Sequence, residues 1–456
     1  MTHRSRTHRV LPLALAVLVA ACGAQTVSPS TSTRPSTTGE SIAPSDAPAL
    51  AEVVPAPGSD SDVYPPNPAA IVVAIDPGHG GCLDWGVPDP SERGEQLAEK
   101  TLTLEIARRL RDRLEAEGVT VVMVRDGDIA LAGDDYADLG CNGPAWRDVN
   151  GDGEAGFDPE GATRTRDELQ ARLDVANLAG ADAFVSIHVN APFDGGQTIE
   201  IAFSETFYTD ETPWGVGVTE PLARAVQDGV VAELDAIATY ERGDRGITAH
   251  NFYIVAPPLF EPTPDRPDPV KQPTRGALMP TILSEVGSIT LRDEHDLLAS
   301  AAGQDAVASG LFAGLVDYFG QREQAVRIGL EEMEVGAVPD PVAGDGPPYL
   351  AWPAPDLGAW RIRLTNTGTQ PVAEGGRILA GWEASDAPYL YLPPAALVEV
   401  GAPLPAMAPG ESVVLTVELP DPPQADRALA WISLGTGAST LADIGSPALQ
   451  LAYEAP

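Results

Sequence analysis

The sequence has few basic residues for its length. Lysine and arginine number 28 against 66 aspartates and glutamates, so the 456-residue chain carries a formal net charge of −38. A surface of this sign repels nucleic acid and anionic lipid before any contact forms. The composition therefore argues against a nucleic-acid-binding function, and the excess of acidic residues is interpreted as a solubilising surface.

The amino terminus lacks an apolar run long enough to cross a bilayer as a mature helix. Its run at 10–21 follows a basic start and is shorter than the roughly 20 residues of a spanning helix, so it predicts an export signal. The run ends in Val-Ala-Ala-Cys, which resembles the lipobox of bacterial lipoproteins and implies that Cys22 becomes a lipid-modified amino terminus. The alternative is an ordinary secretory signal with an incidental cysteine.

Residues 23–69 have almost no aliphatic periodicity and are dominated by serine, threonine, proline and alanine. Such a segment buries too little surface to offset its ordering, so it predicts a disordered tether. The remaining length is more than one core usually holds, which indicates two folded units. The predicted domains are a signal peptide at 1–22, the tether at 23–69, a catalytic domain at 70–322, a linker at 323–348 and a second domain at 349–456.

From Ile71 onward, short apolar runs alternate with helical patterns, which predicts an α/β domain with a mostly parallel, twisted sheet wrapped by helices. The predicted strands are Ile71–Ile75, Val119–Val124, Ala183–Val189, Ile199–Phe203, Phe252–Val255 and Thr281–Val286. The predicted helices start with an apolar stripe at i+4 spacing from Leu102 to Leu114 and continue near 166–179, 218–236 and 294–319. In such sheets, functional residues gather at the carboxyl ends of the strands.

Histidine is scarce, since only four histidines follow Cys22, but two of them lie at predicted strand ends. His79 lies in Asp-Pro-Gly-His-Gly-Gly, where proline and glycine end the strand. His188 lies in Ser-Ile-His-Val-Asn-Ala, and Glu285 lies in an otherwise apolar strand, where a carboxylate is costly to bury. One such residue alone is more often structural. Together, imidazole and carboxylate at neighbouring strand ends indicate a catalytic zinc site.

These motifs resemble those of the zinc-dependent N-acetylmuramoyl-L-alanine amidases, in their type 3 catalytic domain. The family sequence opens with a strand and Asp-Pro-Gly-His-Gly-Gly, matched here by 76–81, and its second histidine motif is matched by 186–191. Two departures stand beside the match. The residues after Glu285 differ from the usual Gly-Phe-(x)-Ser-Asn, which affects the substrate groove, and an insertion occupies about 128–163.

The resemblance also implies a third zinc ligand. A family glutamate opens the first long helix and is followed by lysine, a pattern matched by Glu99, so the implied ligands are His79, Glu99 and His188. Glu95 is the strongest alternative for this role. Glu92 and Glu105 are the other two candidates.

Two cysteines remain beside Cys22, one after the His79 loop and one in the insertion. In an exported protein an even pair usually forms a disulfide, so Cys82 is predicted to bond Cys141 and to pin the insertion beside the metal. The alternative is two free buried thiols.

The insertion also contains half of a calcium-binding loop. Asp148, Asn150 and Asp152 occupy the first, third and fifth positions of an EF-hand-like pattern, with glycine at the sixth. The twelfth position should be acidic and is Pro159. Calcium is therefore one interpretation and an acidic turn is the other.

Alternating apolar and polar residues with turn motifs follow the predicted linker. They predict a small antiparallel β-sandwich that resembles the immunoglobulin-like domains of bacterial surface proteins. Trp352, Trp360 and Trp431 are interpreted as core residues rather than as a glycan-binding surface. A spacer or docking role is expected for this domain.

The resemblance implies a hydrolase that cleaves the amide between the muramic acid lactyl group and L-alanine of peptidoglycan. Glu285 is then the proton acceptor. Asp76 or Asn190 is expected to orient a zinc-binding side chain without itself binding the metal. The enzyme is expected to work as a monomer outside the cytoplasm, lipid-anchored and facing the wall. The alternatives are a zinc peptidase or deacetylase acting on another wall amide, and an inactive wall-binding regulatory lipoprotein.

Overall fold

The computed structural model of the protein describes residues 68–87, 94–135, 140–150, 166–194, 197–211, 215–257, 275–338, 354, 358–384, 397–436, 439–440 and 448–454. The predicted signal peptide with Cys22, nearly all of the predicted tether, Glu92, Asp152 and Trp352 lie outside these ranges. The interpretations made on them stay predictions.

Six strands form the central sheet in the order β2-β1-β3-β8-β6-β7. Every neighbouring pair is parallel except β6 with β8, so the prediction of a mostly parallel sheet is confirmed. The strands are β1 Val72–Pro77, β2 Thr120–Met123, β3 Ala183–Asn190, β6 Phe203–Tyr208, β7 Gly243–Ala249 and β8 Thr281–Ser288, and a separate two-stranded ribbon joins β4 Phe193–Asp194 to β5 Gln197–Thr198.

Helices cover both faces of this sheet. The predicted stripe from Leu102 to Leu114 is buried, because α1 packs with α3 and α5 over one apolar cluster of the sheet, while α2 packs into the cluster on the other face. The bounds are α1 Glu99–Ala116, α2 Arg166–Leu178, α3 Glu220–Ile237, α4 Arg292–Ala299 and α5 Ala301–Gln321. Among the described residues no helix has the length and apolarity that crossing a membrane requires.

Two predicted strands and one predicted helix were wrong in their bounds or type. The strand expected at Ile199–Phe203 begins only at Phe203, and 252–255 form a turn closed by Val255 N–H donating to Phe252 O. Packing explains an apolar residue in this turn: the Phe252 ring lies edge-on to the Phe207 ring, with 5.0 Å between the ring centroids. The helix expected at 294–319 is two helices, since the Ser300 side chain caps α5 by accepting from Gly303 N–H.

The C-terminal part consists of antiparallel sheets around a second core. One sheet has the order β13-β10-β9 and the other β12-β11-β14-β15, with β16 paired to β14. Trp360 and Trp431 are buried, as expected of core residues. The strands are β9 Val326–Leu330, β10 Ala359–Asn366, β11 Arg377–Ala384, β12 Val398–Glu399, β13 Ser412–Glu418, β14 Arg427–Thr436, β15 Ser439–Thr440 and β16 Leu449–Glu454.

Strand β9 lies within the range predicted as a linker, 323–348. It begins five residues after the last residue of α5 and pairs with β10 of the C-terminal sheets. Asp182, at the start of the β3 segment, joins this region to the catalytic domain. Its Oδ2 accepts from Val72 N–H at 2.9 Å and from Arg327 Nη1 at 3.1 Å, and its Oδ1 accepts from the Thr367 hydroxyl at 3.0 Å.

Candidate active site

The first histidine lies on a loop whose backbone is held by two buried arginines. His79 has a φ of 61°, in the left-handed region that non-glycine residues rarely adopt. Arg125 Nη2 donates to Gly78 O at 2.9 Å, and Arg172 Nη2 donates to His79 O at 2.6 Å. A Cβ atom at Gly78 would lie 2.5 Å from His188 Cε1, so glycine is required where the two histidines approach.

Three predicted ligands converge above the end of the sheet. Glu99 Oε1 lies 3.1 Å from His188 Nδ1, and Glu99 Oε2 lies 3.2 Å from His79 Nε2. The candidate ligand atoms of the three residues lie within 4.8 Å of one another. Zinc takes nitrogen and oxygen ligands at about 2.0–2.2 Å in tetrahedral arrangement. Both the donor types and their spacing therefore fit a catalytic zinc ion.

Glu99 is fixed by the backbone as well as by the imidazoles. Its Oε1 accepts from Val189 N–H and its Oε2 from Val87 N–H, both at 2.9 Å. Burial by itself would raise the pKa of this carboxyl, but the facing imidazoles of His79 and His188 lower it well below its usual range. Glu99 is therefore a carboxylate positioned to bind a cation.

The competing glutamates lie elsewhere. Glu95 pairs with the Lys100 ammonium, and Glu105 pairs with Arg108 at 3.0 Å. The structure therefore brings Glu99, and neither of these two, to the histidines.

A residue that the sequence analysis missed orients His79. Asp84 Oδ1 lies 2.7 Å from His79 Nδ1, which leaves Nε2 facing Glu99. Burial would raise the pKa of Asp84, but the neighbouring His79 imidazole lowers it to about 2. The sequence pattern that could have predicted this contact is a carboxylate five residues after the histidine on the same loop. A carboxylate on the second ring nitrogen of a metal-binding histidine sets its tautomer and orientation.

The two residues predicted for an orienting role, Asp76 and Asn190, have other hydrogen-bond partners. Asp76 accepts from Arg172 Nη1 at 2.5 Å and from the Ser186 hydroxyl at 2.7 Å. It therefore acts on the loop through Arg172 and does not touch a ligand side chain. The Asn190 backbone carbonyl accepts from Ile289 N–H at 2.8 Å.

Glu285 lies beside the three ligands on the neighbouring strand. It is directly opposite His188 in the register of β3 and β8 and is 5% exposed. Its Oε2 has no hydrogen-bond partner among the described residues. Burial, followed by the charge of Glu99, raises the pKa of Glu285 well above its usual value. Such a group has a strong tendency to take up a proton.

The insertion is attached to the His79 loop by the predicted disulfide and by carboxylates. Cys82 is bonded to Cys141, with their Cα atoms 5.9 Å apart, which confirms the predicted pair. Asp128 accepts from Gly81 N–H at 2.8 Å and from the Lys100 ammonium at 2.8 Å. Asp134 accepts from Cys82 N–H at 2.7 Å. The first part of the insertion therefore forms one wall of the loop.

The calcium interpretation gains no support. Asp148 and Asn150 are described, whereas Asp152 lies outside the described ranges. The N–H groups of Val149 and Asn150 both donate to Asp167 Oδ1, so this turn is organised by a helix residue. Within the described part, no group of side chains suited to a metal includes Asp148.

Comparisons with known proteins agree with this geometry. The family model described as N-acetylmuramoyl-L-alanine amidase matches residues 73–317, which is more than half of the chain. The germination-specific N-acetylmuramoyl-L-alanine amidase of Bacillus subtilis is 26% identical over 251 residues, covering 55% of this chain and 81% of that protein. The sporulation-specific enzyme of the same organism is 27% identical over 270 residues, covering 59% and 75%.

A solved structure is also similar. The N-acetylmuramoyl-L-alanine amidase AmiC2 of Nostoc punctiforme is 25% identical, and the match covers 55% of this chain and 97% of that one with a TM-score of 0.36. The disulfide and the cell-wall substrate of the matched family place the site of action outside the cytoplasm. The chain belongs to the N-acetylmuramoyl-L-alanine amidase family.

Proposed function

We propose that this protein is a zinc hydrolase that cleaves the amide between the lactyl group of N-acetylmuramic acid and the L-alanine of the peptidoglycan stem. The convergence of His79, Glu99 and His188 beside the unpaired carboxyl oxygen of Glu285 carries this proposal. Its family membership supports the choice of bond.

In this mechanism, His79, Glu99 and His188 hold zinc, which supplies a Lewis acid for the scissile carbonyl and lowers the pKa of water. Glu285 takes a proton from the attacking water as the water oxygen bonds to the lactyl carbonyl carbon. It then delivers that proton to the alanine nitrogen as the carbon–nitrogen bond breaks. Asp84 and Arg172 keep His79 in place during these steps.

The test is a wall digest with the full protein. Mass analysis of the released products should show peptides that begin with L-alanine, and treatment with a chelator should abolish their release until zinc is restored. Release of free acetate would indicate a deacetylase, cleavage inside the stem peptide would indicate a peptidase, and no release at all would indicate an inactive wall-binding protein. Each of these outcomes would contradict the amidase proposal.

We further propose that Cys22 carries a lipid, with 23–69 as a flexible tether that lets the enzyme reach a volume of wall from the membrane. The C-terminal sheets then act as an immunoglobulin-like spacer or docking module. Cys22→Ser should leave the protein in the aqueous phase of a detergent partition, whereas the unchanged protein enters the detergent phase. A Cys22→Ser protein that still enters the detergent phase would contradict the anchor.

A further inference from the structure

A row of side chains runs across the sheet from the metal-binding group toward its outer edge. His188 on β3 is directly opposite Glu285 on β8, and Glu285 is directly opposite Glu205 on β6. Residues directly opposite each other project from the same face of a sheet. Next to Glu205, the pairing of β6 with β7 is interrupted by a bulge that contains Arg245. The row therefore ends at an arginine.

Arg245 is held in a geometry that leaves its donors available. Its guanidinium carbon lies 3.6 Å from the centroid of the Phe203 ring, and its side chain is 44% exposed. Its Nη1 is 3.6 Å from Glu205 Oε2, an ion-pair distance, while Glu205 Oε1 accepts from the Thr248 hydroxyl at 2.8 Å. Stacking occupies the face of a guanidinium, so its in-plane N–H groups remain able to bind a carboxylate.

Two arginines near the ends of this row are buried in ion pairs. The Arg172 side chain is 2% exposed and pairs with Asp76, and the Arg242 side chain is 1% exposed and pairs with Glu294. Arg245 therefore places an accessible positive charge beside an acidic site.

The distance between the Arg245 guanidinium and the reaction centre indicates which part of the substrate this charge contacts. Opposite Cβ atoms lie about 5 Å apart, so a guanidinium beside Glu205 is within roughly 10 Å of the Glu285 carboxyl. An extended peptide advances about 3.4 Å per residue, so a group two residues beyond the scissile amide falls in this range. In the stem peptide that residue is D-glutamate linked through its γ-carboxyl, which leaves its α-carboxylate free unless it is amidated.

We propose that Arg245 is a specificity residue that binds the α-carboxylate of the second stem-peptide residue. This inference rests on the proposed function. It makes the enzyme prefer stems in which that carboxylate is free over stems in which it is amidated to isoglutamine.

The test compares two synthetic substrates, N-acetylmuramoyl-L-alanyl-D-glutamate and N-acetylmuramoyl-L-alanyl-D-isoglutamine, using the full zinc-loaded protein. We expect kcat/KM to favour the carboxylate by about tenfold, equivalent to about 1.4 kcal/mol. Arg245→Gln should reduce this preference to within about twofold by slowing the carboxylate substrate alone, and Arg245→Lys should retain part of it. The control is Arg224→Gln, since Arg224 is exposed on α3, pairs with Glu220 and should leave the preference unchanged.

Binding of the product dipeptide gives a readout apart from turnover. The dissociation constant of L-alanyl-D-glutamate, measured by isothermal titration calorimetry, should rise about tenfold in Arg245→Gln, and that of L-alanyl-D-isoglutamine should not change. No preference in the unchanged enzyme, or an equal loss on both substrates in Arg245→Gln, would overturn the role of Arg245. Failure of the unchanged enzyme to release an L-alanyl peptide from either substrate would overturn the proposed function, and this inference with it.

Discussion

At the scale of single residues, two glutamates in one site differ in what surrounds them. Glu99 accepts two backbone N–H groups and faces two imidazoles, so its charge is stabilised before any metal binds. Glu285 is buried with one oxygen unpaired among the described residues, so its charged form is disfavoured. These surroundings suit a ligand and a proton acceptor respectively.

Substituting each glutamate should separate these roles. Glu285→Gln should retain near-stoichiometric zinc while kcat falls by roughly two to four orders of magnitude, the usual contribution of a positioned general base. Glu99→Gln should lose both zinc and activity, because a catalytic site has only three protein ligands. Elemental analysis measures the zinc content of each variant, and a turnover assay on wall fragments measures its kcat. Loss of zinc from Glu285→Gln, with zinc kept by Glu99→Gln, would show that the two roles are reversed.

Asp84 should control metal affinity without binding the metal itself. Asp84→Asn removes the negative charge from His79 Nδ1, and we expect zinc affinity to fall by about 10- to 100-fold, as for other carboxylates behind a metal-binding histidine. Competition with a chromogenic chelator measures the affinity. Asp112→Asn is the matched control, because Asp112 pairs with Arg111 on the surface of α1. Equal affinities in the two variants would rule out the assigned role of Asp84.

At the scale of elements, the layer of helices behind the site depends on close approach between α3 and α5. A Cβ atom at Gly310 would lie 2.5 Å from Gly229 O and 2.6 Å from Val230 Cα. Backbone atoms cannot yield as a flexible side chain can, so this contact admits only glycine.

A pair of substitutions in the same helix tests this contact. Gly310→Ala should lower the melting temperature because the helices must separate, at a cost of about 1–3 kcal/mol for overpacking. Gly320→Ala, near the end of α5 with nothing within 4 Å of the added atom, should be neutral or stabilising by up to about 1 kcal/mol. Differential scanning fluorimetry compares the two. Similar melting temperatures for the two variants would contradict the idea that the close approach of α3 and α5 requires glycine at position 310.

At the scale of the whole molecule, the catalytic domain and the C-terminal sheets share a buried polar junction and part of a core. Asp182 accepts from Arg327 and Thr367, which belong to the C-terminal part, and from Val72 in the first strand. Leu429 and Trp431 lie in the same apolar cluster as Val72 and the buried side of α2. The stability of the two parts is therefore coupled.

Asp182→Asn should destabilise both parts together. The change leaves the Arg327 guanidinium buried without a carboxylate, and breaking such a pair costs about 3–5 kcal/mol. We expect a lower melting temperature, with zinc content and kcat unchanged at temperatures where the protein is folded, because His188 lies at the opposite end of β3. Asp317→Asn, on the exposed side of α5, should stay within about 0.5 kcal/mol of the unchanged protein. An Asp182→Asn protein as stable as this control would contradict the coupling.

Several of these features were predictable from the order of residues, because they depend on local patterns. Proline and glycine after an apolar run end β1 at the His79 loop, and apolar strands carry His188 and Glu285 toward the same edge. The i+4 stripe of α1 is local in the same way. The pairing of Cys82 with Cys141 followed from their even number in an exported chain.

Other features were decided only when the chain folded, because they depend on register and on contacts between distant segments. Edge strand β7 is polar and carries no apolar alternation, so its bulge at Arg245 and its place beside Glu205 could not be read from the sequence. The sequence alone determined which residue types form the candidate metal site and which strands lead to His79 and carry His188. Only the tertiary structure decided that Asp84 lies against His79, because the loop folds back on itself, and that Asp76 pairs with Arg172 from α2.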